Sequence, residues 1–456
     1  MPGQKPSLTA FRSAFSPALA VLLGLLLVPA AAPARAAELV RLVDSFTPIP
    51  GSGSDTFFLD KERPSVCGLG VVFTGLAESD FSSGIYVASG GAAAVGNVAP
   101  LVTEADPVPG GEGHFEDLGQ AHCDGVRVAF QGKDSVTGRT GIYEWEGGQV
   151  TVLADVGTPL PGTMNSVQGL GAPRVAGERT SFSAVEAVSS VEGLYLQRSG
   201  GGFVEITDTS VSPPDDPDTF ASLTPADLGD EAAFRGTFPG FRSAIYAGQG
   251  ASPGAGPAND LRVVADDSTP VPTPAPGSGG ETFRNFKPPS VWEGQILFVG
   301  GGTSGSIALY LESEGMLKTV VPHLAPLPRG GNLASIETID TDRGVHAFEG
   351  FAVGEAEAGL YLAGGEGAAE GELTRVLGEG DFLDGRRITD FTFSLESGVL
   401  AVWVLFADSS QAIYAGALEP AASPAPAPSI PALSGLGLMA LALALGASGL
   451  WWLRGS

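Results

Sequence analysis

Apolar and polar positions along this chain fall into short alternating runs instead of long amphipathic stretches, and the runs repeat. Each repeat holds an apolar stretch with a central aromatic, at Phe73, Phe130, Phe182, Phe234, Phe298 and Phe348. Twelve or 13 residues later comes a phrase of a small residue, Ile or Leu, and tyrosine, as in Gly84-Ile85-Tyr86 and Ala308-Leu309-Tyr310. In the seventh repeat the aromatic position falls at Val402, beside Trp403. Tyr86, Tyr143, Tyr195, Tyr246, Tyr310, Tyr361 and Tyr414 are all 7 tyrosines of the chain. A residue confined to one phase of a repeat has a structural job.

Each tyrosine is followed by a segment that mixes apolar and polar residues as a half-buried strand does, such as Gln149 to Asp155 or Gly202 to Asp208. Most of these segments lead into a proline corner, such as Thr47-Pro48-Ile49-Pro50-Gly51, Asp106-Pro107-Val108-Pro109-Gly110 or Thr158-Pro159-Leu160-Pro161-Gly162. Proline cannot donate to a ladder, so the corners end strands. A fourth element starts near Phe57, Phe115, Phe220 or Phe283 and runs to a tight turn such as Cys123-Asp124-Gly125.

Four strands in a unit of 51 to 64 residues, the spacing of the tyrosines, make a propeller blade. The expected fold is all-β, a seven-bladed β-propeller. Glu146-Gly147-Gly148 is tight enough for a hairpin, so the strands around it share a sheet and the proline corner crosses between blades. The first strand, Glu38 to Asp44, then has no tyrosine before it, and Tyr414 has no strand after it. Pairing the two closes the ring and removes an exposed edge. The variable loops and the proline corners emerge on one face, which is the expected binding surface.

Composition sharpens this picture at two points. Gly 66 and Pro 35 beside 16% charged residues fit many short strands and turns. Residues 38–419 hold all 51 acids and all but four of the 24 bases, a net charge of about −31. Nucleic acid is excluded as a partner, because phosphate binding needs clustered Lys and Arg.

The ends read as addresses. Residues 1–36 place Lys5 and Arg12 before the apolar run Ala18 to Val28 and end in Ala34-Arg35-Ala36, the pattern of a signal peptide cleaved before Ala37. Residues 37–419 are the propeller and 420–429 a Pro/Ala linker. Residues 430–456 begin with Ile430-Pro431-Ala432-Leu433, continue uncharged from Leu433 to Leu453 and finish at Arg454. At about 1.5 Å per residue that apolar run spans about 30 Å, enough for a transmembrane helix.

This tripartite end resembles the C-terminal sorting signals read by bacterial exosortases, in particular the Ile-Pro-Thr-Leu class, with Ala432 where the class has Thr. The resemblance implies a processing protease of the exosortase type as partner, transient insertion of 433–453 in the inner membrane of a Gram-negative exporter, and delivery to the cell surface or outside. The repeated Thr-Pro-x-Pro-Gly, Val-x-Phe-x-Gly and Gly-Ile-Tyr phrases over 38–416 resemble an uncharacterised bacterial repeat family of exported proteins. That family carries no catalytic residues onto this chain.

Candidate chemistry is sparse. Asp44, Asp155, Asp208 and Asp266 precede their corners and read as caps of the turns, with calcium as the competing role. Asp340-Thr341-Asp342-Arg343-Gly344 has the start of a calcium loop without its later ligands and reads as a turn. His114, His122, His323 and His346 are scattered, and no nucleophile elbow, zinc-protease or phosphate-loop motif occurs. Cys67 and Cys123 share nearly one phase of consecutive repeats, and export permits a disulfide between them. Packed sheets stand roughly 10 Å apart and a bridge needs Cα atoms within about 7 Å, so the turns would have to lean together; two free thiols are the alternative.

These observations predict a non-enzymatic, exported binding module of the cell envelope or matrix, with no cofactor, meeting an extracellular polysaccharide or surface protein. A hydrolase or lyase acting on extracellular polysaccharide, assembled from single residues on several blades, is the alternative. A structural surface or biofilm component is the second.

Overall fold

The computed structural model describes residues 35–36, 38–59, 61–89, 97–161, 165–198, 202–214, 216–249, 261–272, 280–364 and 372–419. The signal peptide up to residue 34, the linker 420–429 and the sorting motif of Ile430, Pro431, Ala432, Leu433 and Arg454 lie outside them. Among the described residues every regular element is a strand, and no helix is long and apolar enough to cross a membrane.

The strands form seven antiparallel sheets, the blades of a β-propeller. Blade 2 shows the plan: an inner strand Phe115–Asp124, a second strand Arg127–Asp134, a third Thr140–Glu146 and an outer strand Gln149–Asp155. The inner strands of successive blades touch one another around a closed ring, so they surround the axis. In blades 2, 6 and 7 the inner strand is continuous, over Phe115–Asp124, Leu333–Asp342 and Arg386–Glu396. In blades 1, 3, 4 and 5 it breaks into two short pieces, and Pro64, Pro173, Pro225 and the pair Pro288-Pro289 stand in the gaps. A proline nitrogen has no hydrogen to give to the ladder, which accounts for the break.

Ring closure follows the expectation from the sequence. Val40–Asp44 pairs with Gln411–Glu419 as the outer strand of blade 7, with Arg41 opposite Tyr414 and Val43 opposite Ile413. Among the described residues, strands from near the two ends therefore share one sheet. Arg35–Ala36 adds two further rungs, opposite Glu419 and Leu418.

The repeated aromatics form the filling of each blade. Every repeat phenylalanine lies directly across from its tyrosine, and the six rings pairs stack at 5.5 to 6.0 Å. In blades 1, 2, 4 and 5 a phenylalanine in the inner strand, or just before it in blade 4, meets the tyrosine edge-on at 4.8 to 5.2 Å. Offset stacks and edge contacts are the favoured ring geometries, and all these rings are buried. In blades 1 to 6 the ladder to the outer strand shifts by one residue just before the tyrosine, a bulge repeated around the ring.

The corners also have a local logic. Pro48, Pro107, Pro159, Pro270 and Pro326 each bridge to a residue just before the next inner strand. The residue between the two prolines donates the N–H that they lack: Ile49 to Asp55 O (2.8 Å), Val108 to Gly113 O (3.0 Å), Leu160 to Asn165 O (3.1 Å). Its side chain is buried in each of these corners.

Candidate functional site

Each inner strand starts at the proline-corner face and ends at the turn into the second strand. Where the seven strands end, they surround one axial cavity of about 350 Å³, lined by side chains of all seven blades. About ten residues of strand at roughly 3.3 Å each separate it from the corner face, the surface singled out by the variable loops. This cavity therefore lies at the opposite end of the ring from the expected binding surface.

Its wall is sewn together by side chains that satisfy the backbone of the next blade, where the inner strand is the edge of its sheet and has N–H groups without a ladder partner. Cys123 N–H donates to Ser65 Oγ (3.0 Å), Val175 N–H to His122 Nδ1 (3.2 Å) and Val291 N–H to Asp227 Oδ2 (2.8 Å). Asp340 is the most heavily used: Leu395 N–H (2.6 Å) and Ser290 Oγ (3.1 Å) donate to it, and Arg63 reaches across from blade 1 to form an ion pair. Gly398 N–H donates to Asp342 Oδ2 at 2.5 Å. These bonds hold the walls in place and leave other atoms uncommitted.

The uncommitted groups define the chemistry. His122 accepts at Nδ1, so its neutral ring carries the proton on Nε2; burial, with Arg174 and Arg63 nearby, pushes its pKa well below the usual histidine value. Among the described residues the Arg174 guanidinium has neither an ion pair nor a hydrogen bond, and burial lowers its pKa. Ser394 Oγ is buried without a partner. Glu396 is pushed up to about 9 by burial and by the carboxylates of Asp124, Asp340, Asp342 and Asp227, so it holds a proton at neutral pH. Burial also raises Asp227 and Asp342. The cavity thus offers four donors, on Arg174, His122, Ser394 and protonated Glu396, beside a set of carboxylate acceptors.

The four corner aspartates act as caps. Asp44 accepts from Phe46 N–H (3.1 Å) and Thr47 Oγ1 (2.8 Å), Asp208 from Ser210 N–H (2.7 Å), and Asp266 from Thr269 N–H (2.9 Å) and Oγ1 (2.7 Å). Asp155 accepts from the hydroxyl of Thr158. Residues 340–344 are the end of an inner strand and its turn. Among the described residues no group of three His, Cys, Asp or Glu side chains is placed to hold a metal ion.

Cys67 and Cys123 are bonded, with Cα atoms 5.8 Å apart. The roughly 10 Å sheet spacing that argued against the bridge applies to parallel layers; blades radiate from an axis, and their inner ends converge. The two turns do lean together: a β-carbon on Gly68 would stand 2.8 Å from Gly125 O.

The sequence reading singled out Asp340 and Asp342 only as turn residues and passed over Arg63, Arg174, Asp227 and Glu396. Their common signal is phase, since each lies just ahead of the inner turn of its repeat. Residue type at that phase changes from blade to blade, so no motif marks it.

No family model matches the sequence, and no curated protein matches it. Among solved structures the chain is similar to the β-propeller domain of the Trilobed protease from Pyrococcus furiosus, with 9% identity and a TM-score of 0.49 over 81% of this chain and 99% of that one. It is similar to polysaccharide lyase Uly1, with 10% identity and a TM-score of 0.47 over 84% and 100%. It is also similar to the BP39L lectin from Burkholderia pseudomallei, with 10% identity and a TM-score of 0.38 over 81% and 100%. Likeness at this level assigns no chemistry to this chain.

Proposed function

We propose that this chain is an exported β-propeller whose axial cavity binds a small, polar, hydroxyl-bearing or acidic ligand, such as the end of an extracellular polysaccharide. The observation that carries the reading is the convergence of side chains from all seven blades on one cavity that contains an unpaired guanidinium, Arg174. Its nitrogens make no hydrogen bond among the described residues, although Asp227 and Asp340 lie close enough to attract it, so a ligand carboxylate or hydroxyl can take its free donors. The C-terminal signal, with Ile430 to Leu433 and Arg454, is proposed to hold the protein at the inner membrane until an exosortase-type protease passes it to the surface.

A glycan array followed by calorimetry on the full-length protein tests this. Binding without product, lost in Arg174→Ala and weakened in Ser394→Ala, is the expected result; undiminished binding by Arg174→Ala would remove the cavity from consideration. Arg174 makes no hydrogen bond or ion pair among the described residues, so its loss should change the melting temperature little, and lost binding can be separated from unfolding.

A second reading, a polysaccharide hydrolase or lyase, is favoured by one pairing. Glu396 holds its proton to about pH 9 in the same cavity as the ion-paired carboxylate of Asp340, and an acid beside a carboxylate is the equipment of general acid and base catalysis. Release of product, lost in Glu396→Gln, would select it over the binding module.

A further inference from the structure

Six of the loops joining second to third strands hold one residue in the left-handed backbone region at the same place, three before the Gly or Ala of the tyrosine phrase. They are Phe81 (φ 59°), Gly138 (φ 66°), Ser190 (φ 57°), Phe241 (φ 66°), Gly305 (φ 89°) and Ser409 (φ 66°). The conformation suits glycine and is strained for a residue with a β-carbon. Blades 1 and 4 place phenylalanine there. Phe81 leans edge-on against Phe58, with ring centroids 6.0 Å apart. Phe241 is 99% exposed. A strained and uncovered aromatic does nothing for the folding of its own blade, and such residues gather where something binds.

Phe241 borders a crevice of about 650 Å³ between blades 4 and 5, on the corner face. Phe238 and Phe286 supply buried aromatic surface, and Val299 and Ile307 extend the apolar lining. Three cationic side chains also line it, and two are neutralised: Arg242 pairs with Asp216 and Asp218, and Lys287 with Glu337. The third, Arg235, forms no ion pair among the described residues, and its Nε is buried without an acceptor.

Arg235 Nη1 donates to Phe286 O in the next blade (3.1 Å), which accounts for part of its presence. The same position in other blades shows how little that task needs. Gln131 Nε2 donates to Leu170 O (2.8 Å) and Thr74 Oγ1 to Gly119 O (3.3 Å), each holding the neighbouring inner strand with a neutral side chain. The charge on Arg235 is therefore surplus to the blade contact. It lines the same crevice as Phe238, Phe241 and Phe286.

We propose that this crevice is a binding site for a small aryl carboxylate, with the ligand ring against the exposed Phe241 and its carboxylate on Arg235. Planar guanidinium and carboxylate match in geometry, and a partly desolvated pair is stronger than one in water. Ring contacts between aromatic surfaces add to this. The site lies at the other end of the ring from the axial cavity and stands or falls separately.

The test is calorimetric titration of the full-length protein in lipid nanodiscs with phenylacetate and, as the charge-reversed probe, phenethylamine. Phenylacetate should bind at least about tenfold more tightly than phenethylamine. Phe241→Gly should weaken phenylacetate at least about tenfold without lowering the melting temperature, because the slot accepts glycine in blades 2 and 5. Arg235→Gln, which keeps an amide for the blade contact, should abolish binding. Phe81→Gly and Arg174→Ala should leave it unchanged. Absent binding at millimolar phenylacetate, equal binding of phenethylamine, or wild-type affinity in Phe241→Gly overturns the proposal.

Discussion

The ring of Phe115 lies over the Cα of Gly132, where a β-carbon would stand 2.8 Å from the ring. Equivalent pairs recur as Phe57 with Gly75, Phe220 with Gly236 and Phe283 with Gly300. Blade 3 has Val167 at the phenylalanine position, and there the glycine becomes Ala184; blade 7 has Ile388 and Val404. Glycine therefore faces the large side chains, Leu333 opposite Gly350 in blade 6 included, and blades 3 and 7 carry a larger residue where a smaller β-branched one replaces the ring.

Gly132→Ala should accordingly destabilise the protein by about 1–3 kcal/mol, the range for overpacking a full core. Combining it with Phe115→Val, the blade 3 arrangement, should recover part of that loss. Denaturant unfolding of the four proteins in a double-mutant cycle measures the coupling, and simple additivity would refute the contact as its cause.

The Cys67–Cys123 bond closes a loop over a sequence separation of 56. Loop-closure entropy puts its contribution at about 4 kcal/mol, and engineered removals commonly show about 2–5. Cys67→Ser with Cys123→Ser should lower the unfolding free energy by about that amount, and reductant should give the same shift in the wild type alone. The two sulfurs are bonded to each other, so a thiol reagent should find neither cysteine in the unfolded protein until a reductant is added.

Arg41 opposite Tyr414 and Val43 opposite Ile413 mark the strand that completes blade 7. Deleting residues 38–44 uncovers the edge of Gln411–Glu419, a strand with free N–H and C=O groups. A lower melting temperature and concentration-dependent association on size-exclusion chromatography are expected. A monomer of unchanged stability would show the closure to be dispensable.

Two buried groups should shape the pH dependence in opposite senses. His346, whose Nδ1 lies 2.8 Å from Thr341 Oγ1, is pushed down to about 4 by burial and by Lys318. The unfolded chain binds a proton near 6.5 that the native protein refuses, so this contribution to stability is lost as pH falls from 6.5 towards 4. Glu396 behaves in the reverse way: the native protein keeps a proton up to about 9 that the unfolded chain releases near 4.5. Its contribution is complete below 4.5 and is lost as pH rises through 9. Melting temperatures across this range should show a flatter acid limb in His346→Asn and a flatter alkaline limb in Glu396→Gln.

What the sequence by itself determined is the part of the fold that local chemistry controls. Prolines without an N–H end strands at Pro48 and Pro107, alternation marks the half-buried outer strands, and tyrosines at one phase count the blades. The unpaired first strand and the unpartnered Tyr414 even indicate how the ring closes. Tertiary structure decided everything that depends on radial convergence. Blades that fan from an axis bring Cys67 to Cys123 and gather Arg63, His122, Arg174, Asp227, Asp340 and Glu396 around one cavity. These residues come from six repeats, differ in type and are separated along the chain by whole blades. Only the closing of the ring makes neighbours of them, and burial among converging carboxylates gives Glu396 its proton and brings Asp227 and Asp340 within reach of Arg174.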